Sequence, residues 1–402
     1  MSRMLFCSVV VAWLSGVSAV VYGPRREPPK FGGLRSITEL AVAEGYEATN
    51  IELLTEDGYS LWIHRIGNNS GPPVLFQHGI LLAADSWITR PHKDLAFVLL
   101  ERGYDVWLSN QRGTVYNEYS LRIPKTDPKY WDFSFHEAGY YDLPASIDAV
   151  LDKRGVEKLF YIAHSLGTTT FLVMSSCRPE YNTKIEAALL LAPVAYGPTY
   201  SEMKPFLRKM VQAAPITYRA LQLLGHYQIG YRTELKILAL RLLCGEFSVT
   251  QSMCLDVIGL YTGEDRTNLD KNDFHNFIPY GSAGTSIKTL YHLAQNFRSG
   301  EFRQFDYGPE GNLQRYQAAS PPSYRLDLVT PPVALIWGLN DNFLSETSVN
   351  KLASHLPNVI YNKAVEDPKF AHFDMILGVD APEVLHPSVV EILESFNKTD
   401  VN

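Results

Sequence analysis

The feature that most constrains this chain is a rhythm and its interruption. Short apolar runs suited to strands occur at Pro73–Gln77, Tyr104–Leu108, Lys158–Ala163, Ala187–Leu191, Val333–Trp337 and Val359–Ala364. Most are separated by helix-length segments; across His136–Lys153, for example, Tyr140, Leu143, Ile147 and Val150 recur at helical spacing. Strands alternating with helices predict an α/β fold, a mostly parallel sheet covered by helices on both faces. Upstream, alternating apolar residues from Ile51 to Ile66 are broken by Asp57-Gly58, which predicts a tight hairpin. The rhythm then fails between Pro193 and Thr330, where about 130 residues show no core strand. That gap holds amphipathic pieces instead: Phe206, Met210, Ala214 and Ile216, then Leu235, Leu238 and Leu242. The strand-helix pattern resumes at Pro331, so the gap reads as a mostly helical cap inserted into one fold rather than a second independent domain. The expected division is residues 20–195 and 329–402 for the two parts of the sheet domain, and 196–328 for the cap.

Residues 1–19 stand apart. Arg3 precedes an apolar run from Met4 to Leu14, and small residues close the segment at Val17-Ser18-Ala19. This is the layout of a secretory signal peptide with cleavage near Ala19, and the run is too short to span a bilayer easily. No later stretch is apolar for long enough to cross a membrane. At 46% hydrophobic and 20% charged, the remainder has ample material for a large core. Losing the segment removes Arg3 and no acid, so the formal charge moves from −7 to −8. With no basic block to meet phosphates, nucleic acid is excluded as a partner. Sequons at Asn68 and Asn397 could carry glycans in a secreted protein.

Three cysteines follow the segment: Cys177, Cys244 and Cys254. The odd number leaves at least one without a partner in the chain. Cys244 and Cys254 are close in sequence and are the expected disulfide in an oxidising compartment. Cys177 reads as a small buried residue on a helix; the alternative is three free thiols. No zinc-ligand spacing is present, and neither metal nor cofactor is expected.

The stretch Tyr-Ile-Ala-His-Ser-Leu-Gly (161–167) nearly matches G-x-S-x-G, the strand-turn-helix signature that lifts a serine hydroxyl out of a sheet. Ala163 stands in place of its first glycine. A nucleophilic serine also needs a base, an orienting acid and oxyanion donors, and in this arrangement the chain order is Ser, acid, His. After the strand Val333–Trp337 comes Gly-Leu-Asn-Asp, which puts Asp341 on the loop leaving it. Of the three histidines that follow, His355 falls in a helical pattern and His386 begins the last helix; only His372 occupies a loop after a strand. The expected triad is Ser165, Asp341 and His372. The Leu166 amide at a helix start is one expected oxyanion donor, and the Ile80 amide, in Gln77-His78-Gly79-Ile80, is the second.

From about residue 36 to residue 396 the chain resembles the acid lipases, the family of gastric lipase and lysosomal acid lipase. The resemblance rests on Thr-Glu-Asp-Gly-Tyr (55–59), Phe-Gln-His-Gly (76–79), Asp-Val-Trp-Leu-Ser-Asn-Gln-Arg-Gly (105–113), Tyr-Asp-Leu-Pro-Ala (141–145), Ala-Gly-Thr-Ser (283–286), Gly-Leu-Asn-Asp (338–341) and His-Phe-Asp (372–374). It implies the α/β-hydrolase fold, hydrolysis of acylglycerols or sterol esters, a cap over the site, and the same triad and donors. Three positions depart from the family's pattern: Ala163 for Gly, Leu166 for Gln, and Tyr280 where His is frequent. The first predicts a more strained turn and the last bears on cap contacts. The expectation is therefore a secreted or lysosomal serine lipase acting on neutral-lipid esters at a lipid–water interface, with Phe206, Met210 and Leu238 on the cap's moving face. The rival readings are an esterase or thioesterase for small soluble acyl compounds, and a non-catalytic lipid-binding protein. The retained triad argues against the last.

Overall fold

Eight strands form one sheet: β1 (Ala48–Leu54), β2 (Ser60–Ile66), β3 (Pro73–Gln77), β4 (Asp105–Ser109), β5 (Leu159–His164), β6 (Ile185–Leu191), β7 (Val333–Trp337) and β8 (Val359–Ala364). Their order across the sheet is β1-β2-β4-β3-β5-β6-β7-β8. The structure is a computed structural model that describes residues 27–263, 268–269 and 271–397. The expected signal segment lies outside the described residues, as do Lys398 and Thr399 of the second sequon. β1 and β2 pair antiparallel through the expected hairpin, with Gly58 at φ +90° in the turn. β2 is antiparallel to β4, and every pairing from β4 to β8 is parallel.

The central strands are apolar throughout because they are covered on both sides: every residue of β3, β4, β5 and β7 is buried. Helix α1 (Leu95–Glu101) links β3 to β4, whereas α2 (Leu143–Arg154) and α3 (Leu166–Cys177) link β4 to β5 and β5 to β6. The direction of travel across the sheet reverses after β4. Right-handed crossovers then place α1 on the opposite face from α2 and α3. The same reversal makes β3 and β5 a topological switch point, where loops leaving adjacent strand ends diverge and open a crevice. The long helix expected across His136–Lys153 is interrupted: a wide π-turn at Ala138–Asp142 precedes α2. Gly139 permits it, since a Cβ there would lie 2.6 Å from the Thr170 carbonyl oxygen of α3.

Between β6 and β7 the described chain adds no strand to the main sheet. It carries helices α4 (Pro205–Leu223), α5 (Glu234–Cys244), α6 (Gln251–Thr262) and α7 (Ile287–Ser299), with a two-residue ladder joining Gln228–Ile229 to Thr285–Ser286. A disulfide joins Cys244 to Cys254 across the α5–α6 connection. Cys177, read from sequence as buried, is only half-buried, because it ends α3 where that helix leaves the core. Helices α8 (Glu346–His355) and α9 (His386–Asn397) complete the fold.

Candidate active site

Four loops at the carboxyl ends of β3, β5, β7 and β8 carry the residues singled out by the sequence. Ser165 follows β5 directly and holds φ +52° and ψ −118°, a rare conformation for a residue with a side chain. The turn's strain therefore sits on Ser165, while Ala163 is an ordinary, fully buried member of β5. Gly167 lets α3 start this close to β3, since a Cβ there would stand 2.7 Å from the Gln77 carbonyl oxygen.

His372 Nε2 lies 2.8 Å from Ser165 Oγ, and His372 Nδ1 lies 2.6 Å from Asp341 Oδ2. Asp341 Oδ1 accepts from the Phe343 amide at 2.7 Å, which fixes the carboxylate's orientation. All three side chains are buried, and Phe343 packs edge-on to the His372 ring. A neutral imidazole that donates through Nδ1 to Asp341 presents the Nε2 lone pair to the serine hydroxyl, the tautomer a general base requires. The amides of Ile80 and Leu166 bond to no acceptor among the described residues. Both flank Ser165, Leu166 by sequence and Ile80 through the β3 loop.

The other histidines nearby are engaged. His78 Nδ1 contacts the Gly79 carbonyl oxygen at 2.8 Å and Nε2 accepts from the Gln111 amide at 3.1 Å; burial lowers its pKa to about 4. It holds the β3 loop and has no free nitrogen for chemistry. Among the described residues no three His, Cys, Asp or Glu side chains gather as metal ligands.

A model described as "alpha/beta hydrolase fold" matches residues 72–379, and one described as "partial alpha/beta-hydrolase lipase region" matches residues 37–91. Lipase 3 of Drosophila melanogaster is 35% identical over 362 residues, covering 88% of this chain and 91% of the relative. The gastric triacylglycerol lipase of Bos taurus is 32% identical over 374 residues, covering 90% and 92%. The chain belongs to the acid lipase family of α/β-hydrolases. Among solved structures, an esterase from Exiguobacterium antarcticum superimposes with a TM-score of 0.50 at 12% identity, covering 85% of this chain and 98% of that one. That likeness is one of fold.

In this acid lipase two features of the site escaped the sequence reading. His164, one residue before the serine, is buried, and its Nε2 donates to the His372 carbonyl oxygen at 2.9 Å. It thus ties the serine turn to the histidine loop. Burial, with His372 beside it, holds its pKa well below the ordinary histidine value, so it stays neutral. Its Nδ1 has no partner and faces Gly79, where a Cβ would lie 2.8 Å away. The signal available in sequence was a polar residue closing an otherwise apolar strand. The second feature is a buried ion pair: Arg232, from the segment between β6 and β7, meets Asp85 at 2.9 Å just beyond the Ile80 loop. Tyr116 donates to the same carboxylate oxygen at 2.9 Å. Tyr280, the departure noted above, is buried and donates from its hydroxyl to the Arg35 carbonyl oxygen at 3.0 Å. It packs beside Arg232 and secures the N-terminal segment.

Proposed function

We propose that the protein is a serine lipase that hydrolyses carboxylic esters of neutral lipids through an acyl-enzyme on Ser165. The hydrogen-bonded chain Ser165–His372–Asp341, with its two short links, is the observation that carries this reading. His372 Nε2 takes the hydroxyl proton as Ser165 Oγ attacks the ester carbonyl, and Asp341 stabilises the imidazolium. The Ile80 and Leu166 amides receive the oxyanion, assisted by the amino end of α3. The tetrahedral intermediate collapses, the C–O bond to the alcohol breaks, and His372 returns the proton to the departing oxygen. Water then attacks the acyl-enzyme by the same route, giving the fatty acid and free Ser165.

Residues 196–328 act in this reading as a cap over the site. Their support is the exposed apolar surface: among the described residues, fifteen of the twenty-four exposed large hydrophobics lie between Met210 and Tyr261. Such a patch exceeds what a soluble surface needs and suits an insoluble substrate. The Cys244–Cys254 disulfide and the exposed sequon at Asn68 support passage through the secretory route, to the outside or to the lysosome. The test is a panel of emulsified long-chain and dissolved short-chain esters, run on the parent and on folded Ser165→Ala. The expected result is turnover by the parent, faster on the emulsions, and none by the variant. Activity in Ser165→Ala would overturn the mechanism, and activity confined to dissolved esters would overturn the substrate class.

A further inference from the structure

A cavity of about 770 Å³ lies between the second half of α4, helix α7 and the loop Arg303–Gly308. It is not part of the triad crevice, and nothing in the hydrolytic chemistry uses it. Its wall combines aromatic rings with cations. Tyr218 and Tyr291 stack with centroids 4.4 Å apart, and Arg219, Arg298, Arg303 and Lys288 line the remainder. Two carboxylates share the space, and both are already engaged. Asp132 receives the buried Lys288 ammonium at 2.7 Å. Asp306 Oδ1 accepts from the Gly308 amide at 2.9 Å and from Asn312 Nδ2 at 2.8 Å, and its other oxygen stands 3.7 Å from Arg303.

The guanidinium groups are less satisfied. Arg219 and Arg298 are solvent-exposed and make no hydrogen bond or ion pair among the described residues, so their charges are hydrated and open to an anion at the rim. Arg303 Nε is buried with no partner. The buried Arg303 N–H without an acceptor is costly and a further anion would remove that cost, whereas the exposed Arg219 and Arg298 contribute charge at the rim. The surroundings indicate what carries the anion. On α4 and its C-cap, beside Tyr218, Arg219 and Gln222 of the cavity wall, Ile216, Leu223 and Leu224 stand 76%, 89% and 72% exposed. A phosphate or carboxylate lodged among the arginines would have its acyl chains directed along this apolar edge.

We propose that this cavity is a headgroup site for an anionic amphiphile, with a phosphodiester lipid in a surface layer as its occupant. The site docks the enzyme on negatively charged interfaces and stands apart from the ester-cleaving centre. The inference rests on the lipid-ester reading for its purpose but not for its test.

Folded Ser165→Ala protein is mixed with vesicles of phosphatidylcholine alone or with phosphatidylglycerol, and the bound fraction is measured by sedimentation. Binding should require phosphatidylglycerol and fall with added salt. Arg219→Gln and Arg298→Gln should each weaken it about five-fold, as expected for one cation at a charged surface. Arg219→Lys should keep most of the binding. Arg102→Gln, an exposed arginine on the distant helix α1 edge, should leave it unchanged. The same substitutions on the Ser165 background should not alter hydrolysis of a dissolved butyrate ester, which separates failure of this proposal from failure of the lipase reading. Binding that is equal on both vesicle types, or unaffected by either glutamine, would overturn the site. So would inorganic phosphate binding at these arginines while vesicle binding is unaffected by their replacement.

Discussion

Helices α3 and α4 both carry large apolar side chains, α4 interleaving them with Arg208, Lys209, Gln212, Arg219 and Gln222, and those side chains meet opposite fates. In α3 every residue except Cys177 is buried. In α4, of nineteen residues, only Leu207 and Val211 are. The first sits between the sheet and its neighbours and begins at Ser165; the second rests on α7 and turns Met210, Ile216 and Leu223 to water. Stability alone accounts for α3, because each buried side chain gains from leaving water. It does not account for α4, whose apolar face gains nothing in the isolated molecule. The sheet region holds four loops in place, and the region between β6 and β7 leaves a broad apolar surface exposed, as the proposed contact with an insoluble substrate requires.

The sharpest test of the first half of that contrast lies at the triad. Asp341→Asn preserves shape but presents an amide to His372 Nδ1, favouring the wrong tautomer. Turnover should fall roughly 10³–10⁴-fold with the fold intact. Single-turnover kinetics would read it, and a loss under ten-fold would mean that Asp341 does not orient the base.

A smaller effect is expected one residue before the nucleophile. His164 links the serine turn to the His372 carbonyl, so His164→Phe removes the donor and frees the histidine loop. A shift of the base by about 1 Å is enough for a loss on the order of 10² in turnover. His164→Gln retains a donor and should recover most of it. If both variants lose equally, or if KM alone rises, His164 serves packing and not the position of the base.

Much of this site was legible in the sequence, for reasons that differ by residue. Ser165, Asp341 and His372 announced themselves because each follows an apolar run and their order is restrictive; strand ends are where a parallel sheet can present side chains. The bounds of β3 and β7 were legible too, since buried parallel strands are nearly continuous apolar runs, and those of the edge strand β8, none of whose residues is buried, followed from its place after a helical segment. His164 was not, because its role depends on a carbonyl 208 residues away in sequence. The π-turn before α2 was invisible because helical spacing on either side of it is undisturbed. On α4 and α5 spacing alone says least about which way a side chain faces. The apolar residues at 210, 216, 235, 238 and 242 have the spacing of a core-facing stripe, yet Met210, Ile216, Leu235, Leu238 and Leu242 are all exposed, and Leu207, Val211 and Ile237 point inward. Phe206, grouped with Met210 and Leu238 as part of a moving face, is half-buried and packs on Tyr261. Periodicity identifies an apolar face without saying what covers it.

Acid should divide the regions as well. Burial lowers the pKa of His78 to about 4 and of His64, His292 and His386 to about 3, against an ordinary 6.5. The unfolded chain binds these protons first, so the stability they permit is complete above pH 6.5 and declines as pH falls toward 3. One pH unit below 6.5, each costs about 1 kcal/mol. Three of the four belong to the sheet region: His64 on β2, His78 after β3 and His386 at the start of α9. Denaturant unfolding at neutral and acid pH should show this loss, and His386→Leu should lessen it. An acid-independent midpoint would refute it.

The smallest expected change in stability is the one that decides what α4 is for. Leu189→Ala in β6 removes a fully buried side chain and should cost about 2–5 kcal/mol. Leu223→Ser and Ile216→Ser act on side chains that water already surrounds, so each should shift stability by about 0.5 kcal/mol or less. If the exposed face of α4 meets lipid, the two serine variants should lose several-fold in turnover of emulsified long-chain ester while cleaving a dissolved short-chain ester at the parent rate. Burial of roughly one leucine side chain against lipid accounts for a change of that size. Equal turnover on both substrates would show that α4's apolar face is idle in catalysis at an interface. A large loss of stability would show instead that the face is covered in solution, and the contrast with α3 would dissolve.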